Sequence, residues 1–299
     1  MAEPVVAAGR TDKGARPDNQ DAILVNSPFF AVADGVGGSA DGAVAAETAV
    51  SALADFIRDA DPQTLDVVEA AMNAHRAVQA RAGQARGSDR MATTLTFGSV
   101  FRDGDALAVE IAHVGDSRAY LVSDGLIVQL TRDHSFVADL VERGEITPEE
   151  ATRHPLRSAI TRCLGQLEPL RVDRVRQHLR HGDLVLLASD GLNKHLSDDD
   201  ILEFVTSSES PQDAAENLVE ETNRRGGSDN VSVVCVKIDG DGDAETNFDQ
   251  SAAVRGKYDT AELLIVPPFE STETESSAAE IPAAAVIPQP RRRRRWWPW

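Results

Sequence analysis

The sequence predicts an α+β fold in which antiparallel sheets are stacked and flanked by helices. Short apolar strand patterns recur over residues 1–239, and two of their connections contain Asp-Gly, at 103–104 and 124–125, which is typical of tight hairpins. The amphipathic helix patterns come in pairs between runs of strands, so few crossover units are available. This order favours antiparallel sheets over a doubly wound parallel sheet.

The predicted elements change type along the chain. Two strands, a pair of Ala-rich helices and a four-strand meander come first, and an irregular segment with short helices spans 133–168. Two strands, two amphipathic helices and a last strand follow. The predicted strands are 22–25, 29–33, 94–101, 107–114, 119–122, 126–130, 171–177, 184–189 and 231–238. The predicted helices are 43–57, 65–82, 198–206 and 211–224.

Composition narrows the function classes. The 299 residues carry a formal net charge of −19, which repels phosphate backbones and argues against nucleic-acid binding. The two cysteines have no CxxC spacing, so a disulfide framework or a thiolate zinc site is not expected. No apolar run approaches the ~18 residues of a membrane span, and no leader pattern is evident, so a cytoplasmic location is expected.

Five aspartates stand in short motifs with Gly or Asn, at the ends of apolar segments. One such residue alone is most simply part of a turn. Five on one antiparallel scaffold could converge on one edge, where their carboxylates would repel each other unless divalent cations were bound. Two such ions ~4 Å apart suit phosphoryl hydrolysis. The five are Asp21, Asp34, Asp116, Asp190 and Asp229.

Arg16 precedes Asp21 by five residues. Taken alone it is a surface arginine, but a guanidinium beside a dimetal site is shaped to hold a phosphate by two hydrogen bonds. His134 either borders the same cleft or organises the segment that follows it.

In these motifs the sequence resembles the metal-dependent serine/threonine protein phosphatase family, type 2C, in its compact bacterial form. The matching motifs run in family order over residues 9–237. They include Thr11-Asp12-Lys13-Gly14, Asp34-Gly35-Val36-Gly37-Gly38, Gly115-Asp116-Ser117-Arg118, Ser189-Asp190-Gly191 and Ser228-Asp229-Asn230. The resemblance implies a four-layer α/β/β/α sandwich over residues 1–239, with residues 133–168 as a mobile flap beside the active site.

The resemblance also implies a centre of two Mn²⁺ or Mg²⁺ ions and a third, weaker ion site. Arg16 is the implied phosphate-binding residue. The implied ligands are Asp34 for both ions, Asp190 and Asp229 for one, Asp21 and the Gly35 carbonyl for the other, and Asp116 with Asp190 for the third.

The implied activity is hydrolysis of phosphoserine and phosphothreonine in proteins by in-line attack of a metal-bridging hydroxide. The implied partners are phosphorylated proteins and a cognate bacterial Ser/Thr kinase, and a monomer is expected. Val36 stands where some eukaryotic members carry a histidine, so the general acid is left open, and Gln20 stands where many members carry a glutamate. The alternative is a non-catalytic phosphoprotein-binding scaffold on the same fold.

Residues 240–299 lack periodicity and predict a disordered acidic and Pro/Ala-rich linker. Its end could bind an anionic membrane surface or an acidic partner, fold back on the acidic body, or remain a solvated charge run. The residues that could make this contact are Arg291, Arg292, Arg293, Arg294, Arg295, Trp296, Trp297 and Trp299.

Overall fold

The computed structural model describes residues 5–36, 40–84, 91–167 and 169–239. Its strands form two antiparallel sheets. The first has the order β1 (Val5–Asp12), β11 (Val231–Ile238), β10 (Leu184–Ala188), β7 (Arg118–Ser123) and β8 (Leu126–Gln129). The second has the order β2 (Asp21–Asn26), β3 (Phe29–Val36), β5 (Leu95–Asp103), β6 (Ala106–Val114) and β9 (Asp173–Leu179), and β4 (Ala92–Thr93) pairs with β3.

Helices cover the outer face of each sheet. The second sheet is covered by α1 (Ala40–Ile57) and α2 (Val67–Gln84), and the first by α6 (Asp198–Ser207) and α7 (Pro211–Arg224). A short helix, α5 (Asp190–Asn193), follows β10 directly.

Alternate side chains of one strand serve different cores. In β3, Phe29, Ala31 and Ala33 pack with α1 and α2, whereas Phe30 and Val32 face the other sheet. This alternation follows from the two-residue period of a strand, which points successive side chains to opposite faces.

The first sheet is arranged in the same way. In β10, Leu186 packs with Leu218 of α7, whereas Val185 and Leu187 lie in the core between the sheets. The layers are therefore helix, sheet, sheet and helix, and the predicted four-layer sandwich is confirmed.

The segment from 133 to 167 contains two short helices, α3 (Phe136–Glu142) and α4 (Pro148–Arg153), as the sequence predicted. Side chains cap both helices: the Ala138 N–H donates to Ser135 Oγ at 3.3 Å, and the Glu150 N–H donates to Thr147 Oγ1 at 3.2 Å. The mobility of this flap stays a prediction, as does the domain boundary at 239.

The structure adds β1, β4 and α5 to the predicted elements. β1 becomes a strand by pairing along its whole length with β11, a partner more than 200 residues away. The pairing of Gly35 with Thr93 of β4 extends β3, so Asp34 lies inside a strand and not at its end, where the sequence placed it. Asp190 is the first residue of a helix and not part of a simple turn.

Among the residues described, no helix combines the length and the hydropathy that a membrane span requires. Gly37, Gly38 and residues 240–299 lie outside the described part of the chain. The predictions for the linker and for its basic-aromatic end therefore stay predictions.

Candidate active site

The five predicted aspartates lie at one edge of the sandwich. Asp21 and Asp34 are register partners on β2 and β3. Asp116 follows β6, Asp190 follows β10, and Asp229 comes shortly before β11. Because β10 and β11 are antiparallel neighbours, the end of one lies beside the start of the other. These five residues are called the aspartate cluster below.

Two glycines allow the backbone to pack tightly around the cluster. A Cβ atom at Gly191 would lie 1.9 Å from the carbonyl oxygen of Asn230, and one at Gly35 would lie 2.4 Å from the backbone of Gly42. No side chain fits at either distance, so glycine is required at both positions. The Gly191 contact brings α5, with Asp190, against the segment that carries Asp229.

Hydrogen bonds to a side chain and to the backbone hold the cluster residues that come from the strands. Ser189 Oγ donates to Asp21 Oδ2 at 2.8 Å and accepts from the Ser232 N–H at 2.9 Å. The Asp34 N–H donates to Thr94 Oγ1 at 3.0 Å. Residues from both sheets therefore hold the cluster, which makes its position depend on the stacking of the two sheets.

Asn230 organises the loop that carries Arg16, a role that sequence reasoning missed. Its Nδ2 donates to the carbonyls of Lys13 and Asp18, both at 2.9 Å, and its Oδ1 accepts from the Gln20 N–H at 2.9 Å. The loop is thereby tied to the start of β11. The only sequence signal is that Asn230 follows Asp229 directly.

Arg16 lies beside the cluster, as predicted. Its Nη2 is 3.0 Å from Asp229 Oδ2, and its Nε donates to the Ser228 carbonyl at 3.2 Å. The side chain is half-exposed, so part of the guanidinium faces open space. A guanidinium that is held on one side and open on the other can donate its remaining N–H groups to a phosphate.

Burial has shifted the pKa values of most members of the cluster upward. Burial raises the pKa of Asp21 to about 6 and that of Asp116 to about 7, and nearby carboxylates add to both shifts. Burial and the charge of Asp21 raise the pKa of Asp34 well above its ordinary range. Burial also raises the pKa of Asp190, although Lys194 opposes the shift.

Two buried oxygen atoms of the cluster accept no hydrogen bond. They are Asp21 Oδ1 and Asp116 Oδ1. A buried acceptor without a partner is destabilising, and in native proteins it commonly marks the place of an ion or a water. Several carboxylates with such free oxygens form the hard oxygen donor set that divalent Mg²⁺ and Mn²⁺ prefer. The residues present therefore fit the predicted metal centre.

Lys194 also belongs to this site, and sequence reasoning missed it. Its Nζ lies 2.6 Å from Asp190 Oδ2 and 2.6 Å from Asp229 Oδ2. Burial alone would raise the pKa of Asp229, but the hydrogen bond and charge of Lys194 outweigh it and lower that pKa. In the sequence the only signal was the spacing of four residues between Asp190 and Lys194, which is the spacing of an ion pair on a helix.

The carboxylates are not arranged around a single ion position as the side chains stand. In the described part of the chain, no group of three or more His, Cys, Asp or Glu side chains is placed to hold one metal ion. Asp190 and Asp229 point to the ammonium of Lys194 instead. The donor types fit divalent ions, but Lys194 contacts one oxygen of each of these two carboxylates.

A cavity of about 360 Å³ opens beside the cluster. Three of its lining residues are cationic, which suits an anionic ligand. Arg157 comes from the flap and makes no ion pair with any residue that the structure describes. The lining residues are Arg16, Arg157, Ser158, Lys194, Ser228 and Asp229.

The flap is joined to the site through a second group of ionisable residues, Asp173, His134, Arg162 and His113, called the flap-root cluster below. Arg162 Nη1 donates to Asp173 Oδ1 at 2.7 Å, and His134 Nε2 lies 3.0 Å from Asp173 Oδ2. The Gly115 N–H donates to His134 Nδ1 at 3.1 Å, so His134 Nε2 is the donor to Asp173. His134 thus organises the flap, one of the two roles that the sequence left open.

The electrostatics of the flap-root cluster are opposite to those of the aspartate cluster. Burial would raise the pKa of Asp173, but the hydrogen bonds from His134 and Arg162 and the charge of Arg162 outweigh it and lower that pKa. The ring of His113 lies 4.8 Å from that of His134, and burial together with His134 lowers the pKa of His113 to about 3.

The family of the chain follows from its similarity to known proteins. The family model for protein phosphatase 2C matches residues 9–222. The chain belongs to the protein phosphatase 2C family. The match covers strands of both sheets and includes Asp21, Asp34, Asp116 and Asp190, whereas Asp229 and β11 lie beyond it. The family predicted from the sequence motifs is confirmed.

Several bacterial members of the family are similar to the chain. The serine/threonine protein phosphatase PstP of Mycobacterium tuberculosis is 40% identical over 237 residues, which cover 77% of this chain and 44% of PstP. The chain therefore spans less than half of that relative. The protein phosphatase PhpP of Streptococcus pneumoniae is 36% identical over 238 residues, which cover 76% of this chain and 95% of PhpP.

A solved structure of this family contains metal. The crystal structure of the catalytic domain of PstP in complex with two manganese ions matches with a TM-score of 0.70 and 35% identity, over 78% of this chain and 97% of that one. The family likeness therefore extends from the sequence motifs to the two stacked sheets.

Proposed function

We propose that the chain is a metal-dependent protein serine/threonine phosphatase, which hydrolyses phosphoserine and phosphothreonine in proteins. The observation that carries the proposal is the aspartate cluster, which contains buried carboxylate oxygens without partners and whose member Asp229 lines a cavity together with Arg16. Family membership and the names of the relatives support it.

The proposed cofactors are two Mn²⁺ or Mg²⁺ ions, with a third at a weaker site. The chemistry supplied by such ions would be a lowered pKa of a bound water and compensation of charge on the phosphoryl oxygens. Asp21, Asp34, Asp116, Asp190 and Asp229 would hold them through carboxylate oxygens, and Gly35 through its carbonyl.

The chain's own residues bind and orient the substrate. Arg16 donates its free guanidinium N–H groups to the phosphoryl oxygens, while Asp229 and the Ser228 carbonyl keep the guanidinium in place. Arg157 adds a cation from the flap side of the cavity, so the anionic group is attracted despite the acidic surface. Val36 carries no transferable proton, so the proton for the leaving alkoxide comes from another donor.

The biological setting follows from this chemistry. We expect a cognate bacterial Ser/Thr kinase to produce the substrates, and we expect the phosphatase to act as a monomer in the cytoplasm. Peripheral membrane contact through residues 291–299 stays a prediction. The second candidate function, a non-catalytic phosphoprotein-binding scaffold, needs the same cavity but no metal chemistry.

The test is hydrolysis of para-nitrophenyl phosphate and of a phosphothreonine peptide, with and without Mn²⁺. The wild type is expected to turn over both substrates only with the metal. Arg16→Ala is expected to lower kcat/KM about 100-fold, because one charge-stabilising donor group is lost. The control is Arg58→Ala, whose side chain is exposed and pairs with Asp55 on α1, and it should match the wild type.

The outcomes separate the candidates. Turnover without metal, or an Arg16→Ala variant as active as the wild type, would contradict the proposed site. A wild type that binds the phosphopeptide without hydrolysing it would favour the scaffold.

A further inference from the structure

One lysine occupies the position between two proposed metal ligands. Lys194 Nζ lies 2.6 Å from Oδ2 of both Asp190 and Asp229, so a single ammonium is shared by two carboxylates. The two aspartates come from different parts of the chain, the start of α5 and the loop before β11. Lys194 is therefore the cation that joins these two elements in the structure.

The backbone fixes the lysine at this position. The Lys194 N–H donates to the Asp190 carbonyl at 3.1 Å, which places the two side chains on the same face of the helical turn. The Lys194 side chain is about one-third exposed and also lines the cavity that contains Arg16. Its stem is thus anchored beside the cluster, while its ammonium has open space on the cavity side.

The position of the ammonium conflicts with metal binding. Lys194 contacts Oδ2 of both carboxylates, so a divalent ion held by Asp190 and Asp229 would lie close to its ammonium. Two cations at the same oxygens repel each other strongly in a partly buried site. The arrangement of the carboxylates agrees with this, since no group of three ligand side chains in the described residues is placed around one ion position.

We propose that Lys194 is an internal counter-cation of the metal centre, and that a divalent ion binds by exchange with its ammonium. This inference rests on the proposed metal site. In the metal-free protein Lys194 neutralises Asp190 and Asp229 and holds α5 against the start of β11. When the ion binds, the ammonium gives up both carboxylates and turns to the cavity. The exchange weakens metal affinity and stabilises the fold of the metal-free protein.

The test is isothermal titration of the full chain with MnCl₂ after metal has been removed with EDTA. Lys194→Met keeps the length of the side chain but removes the charge, so it is expected to bind Mn²⁺ about tenfold more tightly than the wild type. Lys194→Arg keeps the charge, and its affinity should stay within about threefold of the wild type. The remote control, Lys237→Met on β11, should bind like the wild type.

A second readout does not depend on affinity. Without metal, Lys194→Met should melt at a lower temperature than the wild type, because its carboxylates lose their counter-cation. Adding Mn²⁺ should then raise its Tm by more than it raises that of the wild type. If Lys194→Met does not fold without metal, Lys194→Gln replaces it in both measurements, since its amide still hydrogen-bonds to the carboxylates.

The outcomes distinguish this inference from the proposed function. If the wild type binds no Mn²⁺, the proposed function is wrong. If the wild type binds Mn²⁺, and a folded neutral variant binds it equally well or more weakly, only the role of Lys194 is wrong.

Discussion

Two neighbouring groups of charged residues in this protein differ in how their charges are balanced. In the flap-root cluster, Asp173 receives hydrogen bonds from Arg162 and His134, and its pKa is lowered. In the aspartate cluster, five carboxylates share mainly Lys194 and Arg16, and the pKa values of all but Asp229 are raised. The flap-root cluster is complete as it stands, whereas the aspartate cluster lacks positive charge.

The difference separates a structural group of charges from a functional one. A buried carboxylate with matched donors stabilises the fold, since its charge is compensated. A buried set with too few cations is unfavourable until a ligand supplies the missing charge. Asp229 supports this interpretation, because it is the member that contacts both cations and the member whose pKa is lowered.

The largest effect is expected from removing the aspartate at the centre of the functional cluster. Asp34→Ala should lower Mn²⁺-dependent turnover about 1000-fold, since the ions lose their shared ligand and the phosphoryl charge is no longer offset. The protein should remain folded by circular dichroism, because Asp34 compensates no cation that the fold requires. Turnover within tenfold of the wild type would show that the cluster is not the metal centre.

A substitution in the flap-root cluster should lower the stability of the protein without changing its metal binding. Asp173→Asn removes the charge that compensates Arg162 and should lower the free energy of unfolding by about 3 kcal/mol in urea at pH 7. Its Mn²⁺ affinity should equal that of the wild type. Asp103→Asn is the matched control, because Asp103 also pairs with an Arg and a His but is exposed, and its effect should be smaller.

The same variant has an expected pH dependence. The pKa of Asp173 is lower in the folded protein than in the unfolded chain, so its contribution is present above about pH 4 and is lost on acidification below it. The difference between the wild type and Asp173→Asn should therefore shrink below pH 4. A difference that stays constant would contradict the ion pair.

The smallest predicted effect concerns Asp116, whose contribution to the pH dependence of stability is opposite in sign to that of Asp173. Its raised pKa, about 7, means that the folded metal-free protein keeps a proton that the unfolded chain loses near pH 4. Between pH 5 and pH 7 this residue should lower the stability of the EDTA-treated protein by roughly 2 kcal/mol, and Asp116→Asn should remove the decrease. Urea unfolding at pH 5 and at pH 7 measures this change in the free energy of unfolding. An Asp116→Asn variant that loses as much stability over this range as the wild type would contradict the prediction.

The layers of the fold and most residues of the candidate site could be predicted from local patterns of amino acids. The alternation in Phe29–Ala33 and Leu184–Ala188 assigns side chains to opposite faces, because the strand period is a local property of the chain. The motifs that contain Gly or Asn indicated the five aspartates and Arg16, because these residue types reflect the local conformation of the backbone. A common edge could be inferred because, in an antiparallel sheet, the end of one strand lies beside the start of its neighbour.

The pairing of charges, in contrast, could not be predicted from local patterns, because it depends on how distant segments pack. Asp229 and Lys194 lie 35 residues apart in the chain, and His134 and Asp173 lie 39 apart, so no local period relates them. β1 is likewise a strand because β11 pairs with it, and Asn230 orders the Arg16 loop from the far end of the domain. Whether a carboxylate is compensated depends on neighbours that the packing of two sheets brings together, and that packing is a property of the whole fold.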